Sequence, residues 1–142
     1  MVNIMDQNGI DICQRWFREF WGQGIASVVD EIAIADVKLS YPLMGCLKGR
    51  EQLKTKIKSF HQCFSGSSFN PTGRFIAGDT TIVRWKVDTF YCGAFVDLPE
   101  NTTGKKIHFT GISILRVVDD KIVEDVGEED RLAIVQQINS KN

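Results

Sequence analysis

Apolar residues recur with a period near 3.6 over the first third of this chain and near 2 beyond residue 66, so helices are expected to precede strands. Cys13, Trp16, Phe17, Phe20 and Trp21 follow i, i+3, i+4, i+7, i+8 spacing and would form one apolar stripe on a helix. Gly22 and Gly24 punctuate that helix, and a shorter one is expected over residues 27–34. Residues 36–41 (DVKLSY) alternate polar and apolar up to Pro42, which predicts a half-buried strand. A third helix follows Gly49, with Leu53, Ile57, Phe60 and Phe64 on one side.

The second half reads as sheet. A Gly/Ser/Asn/Pro stretch over 66–71 predicts a loop before a strand at 74–77, and Gly78-Asp79 a turn. In the strand expected over 81–91, Val83, Trp85, Val87 and Tyr91 share one face, and Arg84, Lys86 and Asp88 the other. Residues 98–104 read as a loop. A long strand over 103–118, a tight Asp119-Asp120 turn, a second strand and a short amphipathic helix close the chain. Repeats and linkers are absent, so residues 1–142 are expected to form a single domain. The implied class is α+β: a curved mixed or antiparallel sheet forming a cone-shaped half-barrel, with the N-terminal helices over its concave face. Long twisted strands curl, and the mouth of such a concavity is where a small apolar ligand would sit.

Composition narrows the function. Lysine and arginine (17) nearly balance aspartate and glutamate (18), so neither nucleic acid nor an anionic membrane surface is an expected partner. Four cysteines without a CxxC pair and two histidines, His61 and His108, argue against a zinc site, and no metal is expected. The N-terminus lacks the pattern of a signal peptide, and no apolar run approaches the ~20 residues of a membrane span. A cytoplasmic protein with reduced thiols is expected.

Candidate chemistry concentrates on the last strand, where Glu124 and Asp125 are adjacent in an apolar run and alternation must send them to opposite faces. If the Asp119-Asp120 turn pairs Val118 with Lys121, then Ile107, Phe109, Gly111, Ser113, Leu115 and Val117 share a face with Ile122, Glu124 and Val126. That face is the less polar, so Glu124 is expected to point into the concavity, and Asp125 outward towards Arg116 and Lys121. A one-residue shift would exchange them, so both stay candidate acids. A carboxylate in an apolar concavity has a raised pKa, as acid/base work near neutral pH requires. Tyr41 and Tyr91 face inward as candidate hydrogen-bond donors, either Tyr91 or Tyr41 being the candidate oxyanion stabiliser, and Trp16, Trp85 and Phe109 would form water-poor walls. Glu128, Glu129 and Asp130 are read as acids favouring the dipole of the last helix. His61 is expected to be solvated and His108 to lie on the convex face.

Residues 36–42 followed by GREQL (49–53), then AGDTTIVRW (77–85), FYCGAF (90–95), TGKKIHFTGISILRV (103–117) and DDKIVEDVGEEDRLAIVQQI (119–138), resemble in order and spacing the SnoaL-like polyketide cyclases of the nuclear-transport-factor-2-like superfamily. The resemblance implies a cone-shaped α+β fold, a homodimer packed through the outer sheet face, and a ring-closing aldol condensation run without a cofactor by a pocket aspartate. By position it carries the closing-strand acids onto Glu124 and Asp125, and a late acid onto Asp130. The chain departs from the pattern at Phe90-Tyr91-Cys92-Gly93, where relatives show Thr-His-x-Gly. It departs again at Val126, where many have tryptophan, and at Asp119-Asp120, where the usual turn is Asp-Gly. Three functions follow: a cofactor-independent enzyme acting on a small apolar carbonyl compound, a non-catalytic binder of a hydrophobic small molecule, or a homodimeric interaction module.

Overall fold

The computed structural model describes residues 4–141; residues 1–3 and 142, included in the expected span of the domain, lie outside the described residues. Helix α1 (Gln7–Arg15) starts at an Asp6 cap, whose carboxylate accepts from the Gly9 N–H at 3.0 Å. It runs directly into a π-helical segment, Trp16–Gly22, instead of continuing as the α-helix that the 3.6 periodicity predicts. The remaining elements are α2 (Val28–Ile32), β1 (Ala33–Tyr41), β2 (Gly45–Lys48), α3 (Arg50–Cys63), β3 (Phe64–Ala77), β4 (Thr80–Gly93), β5 (Asn101–Val118), β6 (Lys121–Glu129) and α4 (Arg131–Asn139).

The strands form one curved sheet in the order β2-β1-β6-β5-β4-β3, left open because β2 and β3 do not pair. Only β1 and β6 run parallel; every other pair is antiparallel. The α+β half-barrel with N-terminal helices is therefore as expected. Two expected loops are strand instead. Residues 66–71 belong to strand β3, whose polar and Pro-containing stretch is carried through two register shifts, and β5 begins at Asn101 within the expected loop. Strand β2 had no periodic signal, being four residues long and largely exposed at the sheet edge.

Alternation along β4 and β5 places Val83, Trp85, Val87, Tyr91, Ile107, Phe109, Ser113, Leu115 and Val117 on the buried inner face. Trp16, Phe20, Leu53, Ile57 and Phe60 from the overlying helices meet them, so the core lies between helices and concave sheet. Stacking of Trp16 on Phe20 (centroids 4.2 Å apart) and of Phe60 on Phe64 (4.5 Å) makes that core largely aromatic.

The hairpin β5–β6 decides the placement of the candidate acids. Val118 pairs with Lys121 and Val117 with Ile122, but Arg116 pairs with Glu124, so Val123 is an extra residue in β6. Such a bulge reverses the faces of everything beyond it. Glu124 therefore falls on the outer face, between Arg116 of β5 and Lys38 of β1 in the pairing register. Asp125 turns inward and is fully buried, while Val126 turns outward between Ile114 and Ser40. This overturns the inward orientation of Glu124 and Val126 and the outward orientation of Asp125 expected from uninterrupted alternation.

The turn joining these strands holds Asp119 and Asp120 at φ 51° and 58°, the conformation a tight hairpin demands and one that a side chain disfavours. Asp120→Gly is expected to stabilise the fold by roughly 1 kcal/mol, read as a higher midpoint in chemical denaturation with an unchanged slope. A midpoint that stays put or falls would show that these aspartates gain something from the turn that glycine lacks.

Candidate functional site

Beyond the bulge, Asp125, Gly127 and Glu129 follow one another at intervals of two and all face inward. Each lies in a cross-strand row. Asp125 is opposite Leu115 and next to Leu39, Gly127 is opposite Ser113, and Glu129 is opposite Gly111, which in turn pairs with Trp85. The two glycines form a floor. A Cβ on Gly127 would lie 2.2 Å from the Tyr41 ring, and one on Gly111 would lie 2.3 Å from the Trp85 ring. Their missing side chains are what allow a tyrosine and a tryptophan to lie flat across the sheet.

Asp125 is held by three donors. The indole N–H groups of Trp16 and Trp21 both reach Oδ2, at 2.9 and 3.0 Å, and the Tyr41 hydroxyl donates to Oδ1. The π-helical segment explains how two tryptophans five residues apart serve one oxygen. In an α-helix they would point about 140° apart around the axis, whereas the wider i→i+5 turn brings them onto one side. Burial drives the Asp125 pKa up, opposed by these three hydrogen bonds.

From Asp125 the polar chain runs on into the cavity. Tyr41 Oη lies 2.5 Å from Ser113 Oγ, and Trp85 Nε1 donates to that same Oγ at 2.8 Å. Two proton arrangements satisfy it. With Asp125 ionised, Tyr41 donates to the carboxylate and Ser113 donates to Tyr41. With Asp125 protonated, its own O–H donates to Tyr41 and Tyr41 to Ser113, which frees the Ser113 hydroxyl hydrogen to point elsewhere. Ser113 lines the cavity, so the chain that starts at the sealed carboxyl ends at the cavity wall.

That cavity is walled by Trp21, Tyr41, Phe60, Trp85 and Phe109, with Ser113 and Glu129 as its polar members. Its free volume is ≈ 20 Å³, room for about one water, so anything larger must displace a wall. Phe17, Phe69 and Met44 also line it; Phe69 is only partly buried, and Met44 has the flexible side chain best suited to give way. Glu129 is the one carboxylate among its lining residues. The Leu43 N–H donates to Glu129 Oε1 at 2.5 Å, fixing the group, while burial raises its pKa from 4.5 to about 7. The neighbouring Glu128 raises it further, and the Leu43 bond and Arg131 partly oppose the rise.

The profile of the SnoaL-like polyketide cyclases matches residues 11–138. The chain belongs to this family. The fold agrees: the candidate SnoaL-like polyketide cyclase of Jannaschia sp. CCS1 superposes with a TM-score of 0.84 at 18% identity, covering 96% of this chain and 95% of that one. A candidate polyketide cyclase from Acidithiobacillus ferrooxidans gives 0.80 at 19% identity, over 94% and 96% of the two chains. A third, from Bacillus cereus ATCC 10987, gives 0.73 at 25% identity, over 92% and 80%. No curated protein matches the chain.

Of the acids that the family resemblance carries over, only Asp125 faces inward. Asp130 is exposed and caps α4, its carboxylate accepting from the Ala133 N–H at 3.1 Å, so it lies outside the cavity rather than lining it. Tyr91 is buried as expected but faces away from the cavity: its hydroxyl donates to the Pro99 carbonyl at 2.8 Å and accepts from the Phe95 N–H at 3.1 Å. Trp16 is likewise absent from the wall, serving Asp125 instead, whereas Tyr41, Trp85 and Phe109 line the cavity. His61 is half-buried rather than solvated. Its Nε2 donates to the Trp21 carbonyl at 2.8 Å, and burial lowers its pKa. Glu129 and Ser113 are the cavity groups the sequence did not single out. Glu129 reads as a helix-start acid, and only the bulge reveals its inward face.

The shift at Glu129 has a sign. Because the folded pKa is raised from 4.5 to about 7, the protonated form is favoured in the fold, and stability drains away as pH rises across that window before levelling off above it. Glu129→Gln keeps an oxygen for the Leu43 N–H and removes the titration. The variant is expected to lose less stability than the parent between pH 4.5 and 7 in denaturation midpoints followed against pH. Parallel profiles would mean that Glu129 titrates as if in water.

Proposed function

We propose that this protein is a cofactor-independent acid/base catalyst acting on a small apolar carbonyl compound, with Glu129 as the group that moves the proton. The observation carrying this reading is a single carboxylate, tuned towards neutral pH by burial, among the residues that line an aromatic cavity together with Ser113. Glu129 would take a proton from the carbon next to the carbonyl; the C–H electron pair becomes the C=C bond of an enolate, and the carbonyl oxygen gains the charge. With Asp125 protonated, the freed Ser113 hydroxyl would donate to that oxygen, and Tyr41 and Asp125 would act as positioning residues behind it. An enolate formed here that attacks a second carbonyl of the same molecule closes a ring, the chemistry implied by the family. Glu124 has no part in this scheme, since it lies on the outer face.

Hydrogen–deuterium exchange next to the carbonyl of 2-tetralone, followed by ¹H NMR in D₂O, tests the scheme. Exchange should rise with pH through an inflection near 7 and fall by about 10²–10⁴-fold in Glu129→Gln, with Glu124→Gln unchanged. Equal exchange in parent and Glu129→Gln would remove Glu129 from the mechanism.

A cytoplasmic setting belongs to this proposal and is supported by four free cysteines; among the described residues, no helix is long and apolar enough to cross a membrane. So does a homodimer through the outer sheet face. Phe75, Ile82, Ile114 and Val126 form one cross-strand row over β3, β4, β5 and β6, and the first three are exposed. Light scattering after size-exclusion chromatography should find a dimer for the parent chain and a monomer for Ile114→Lys. A monomeric parent would end the dimer proposal.

A further inference from the structure

A second, larger concavity of ≈ 520 Å³ adjoins the aromatic cavity and shares Phe17 and Phe69 with it. Its chemistry differs. Arg18 and Arg74 line it together with Gln14, Gln23, Ser67 and Ser68, and its lining contains no acid, in a chain whose acids outnumber its bases. Arg74, Gln14 and Gln23 make no side-chain hydrogen bond or ion pair among the described residues. Arg18 is largely exposed and only loosely held, 3.3 Å from a Glu19 carboxylate oxygen that Arg15 engages at 2.6 Å. Ser68 Oγ accepts from Asn70 Nδ2 at 2.8 Å, which leaves its own hydrogen free to donate. The unpaired Arg74 guanidinium, the loosely held Arg18, and amide and hydroxyl donors around a space of this size make a site for a compact oxyanion, for which Glu19 competes only through its 3.3 Å contact with Arg18.

We propose that this concavity is the vestibule of the aromatic cavity and binds the oxyanion, carboxylate or phosphate, of a ligand whose apolar body passes between Phe17 and Phe69. The proposal rests on the aromatic cavity being a ligand site, and it adds the substrate class: amphipathic molecules with one anionic end. Arg18 and Arg74 select for charge, and the shared phenylalanines separate a wet outer compartment from a dry inner one. The inner volume of about one water describes the state in which those rings are shut.

Isothermal titration calorimetry at low ionic strength with three probes of similar size tests this: 2-naphthoate, 2-naphthyl phosphate and the neutral 2-naphthamide. At least one anion should bind about tenfold more tightly than the amide, a preference expected of charge-assisted contacts to two arginines. Arg18→Gln/Arg74→Gln should abolish that preference while leaving amide affinity unchanged, and added salt should weaken only the anions. Which anion wins decides between carboxylate and phosphate. Equal affinity for all three probes, or an anion preference that survives in the double variant, overturns the vestibule and leaves the inner cavity standing. Failure of every probe, the amide included, overturns both. Because both arginines are exposed, circular dichroism is expected to show the variants fully folded.

Discussion

A carboxylate with no solvent contact has to be satisfied entirely by protein, and the architecture is organised around meeting that demand for Asp125. Its donors come from two places distant in sequence, the π-helical segment and strand β1. Losing any one leaves a buried polar group short of a partner, at a cost of about 1–3 kcal/mol. The carboxylate thereby fixes how the N-terminal helix sits over the sheet, since both indoles must reach the same oxygen. It also fixes the Tyr41 ring across the Gly127 floor and, through Tyr41, the Ser113 hydroxyl. Among the described residues no buried side-chain nitrogen or oxygen is left without a partner, so this dense polar centre is closed on itself apart from the cavity it borders.

Two local irregularities make that arrangement possible, and each breaks the regular periodicity of its element. The π-helical segment brings residues five apart onto one side, and the Val123 bulge turns Asp125, Gly127 and Glu129 inward. Irregularities of both kinds concentrate at functional sites because they re-aim side chains that regular geometry would disperse. Here they converge on adjoining positions of one concave face. The outcome is a division of labour between two acids. Asp125 is sealed within a hydrogen-bond chain, while Glu129, tied down by one backbone N–H, belongs to the lining of the small aromatic cavity.

The outer face and the concavity beside the aromatic cavity differ sharply in their surface chemistry. The apolar row from Phe75 to Val126 gives the convex surface a hydrophobic stripe, and Arg18, Arg74 and their polar neighbours line the concavity beside Phe17 and Phe69. Membership of the SnoaL-like polyketide cyclase family accounts for the scaffold, on which Glu129 and the Asp125–Tyr41–Ser113 chain border one cavity.

What the sequence determined by itself was whatever depends on local periodicity. The inner faces of β4 and β5 follow from alternation, α3 from its apolar stripe, and the tight turn at Asp119-Asp120 from its two short acidic residues between strands. The family was legible because its motifs keep their order; of the expected walls, Trp85 and Phe109 line the cavity and Trp16 does not, and Tyr41, expected as an inward donor, lines it too. What only the tertiary structure decided lies beyond the first broken period. A bulge is the insertion of one residue into a pairing, and nothing in the string IVEDVGEED marks which residue is extra, so Glu124 and Asp125 exchanged places and Glu129 went unrecognised. The π-helical segment is equally silent, because its stripe at 16, 17, 20 and 21 also fits an α-helix. The physical reason is common to both: alternation fixes faces only while pairing is regular, and regularity gives way where burying Asp125 with three partners outweighs it.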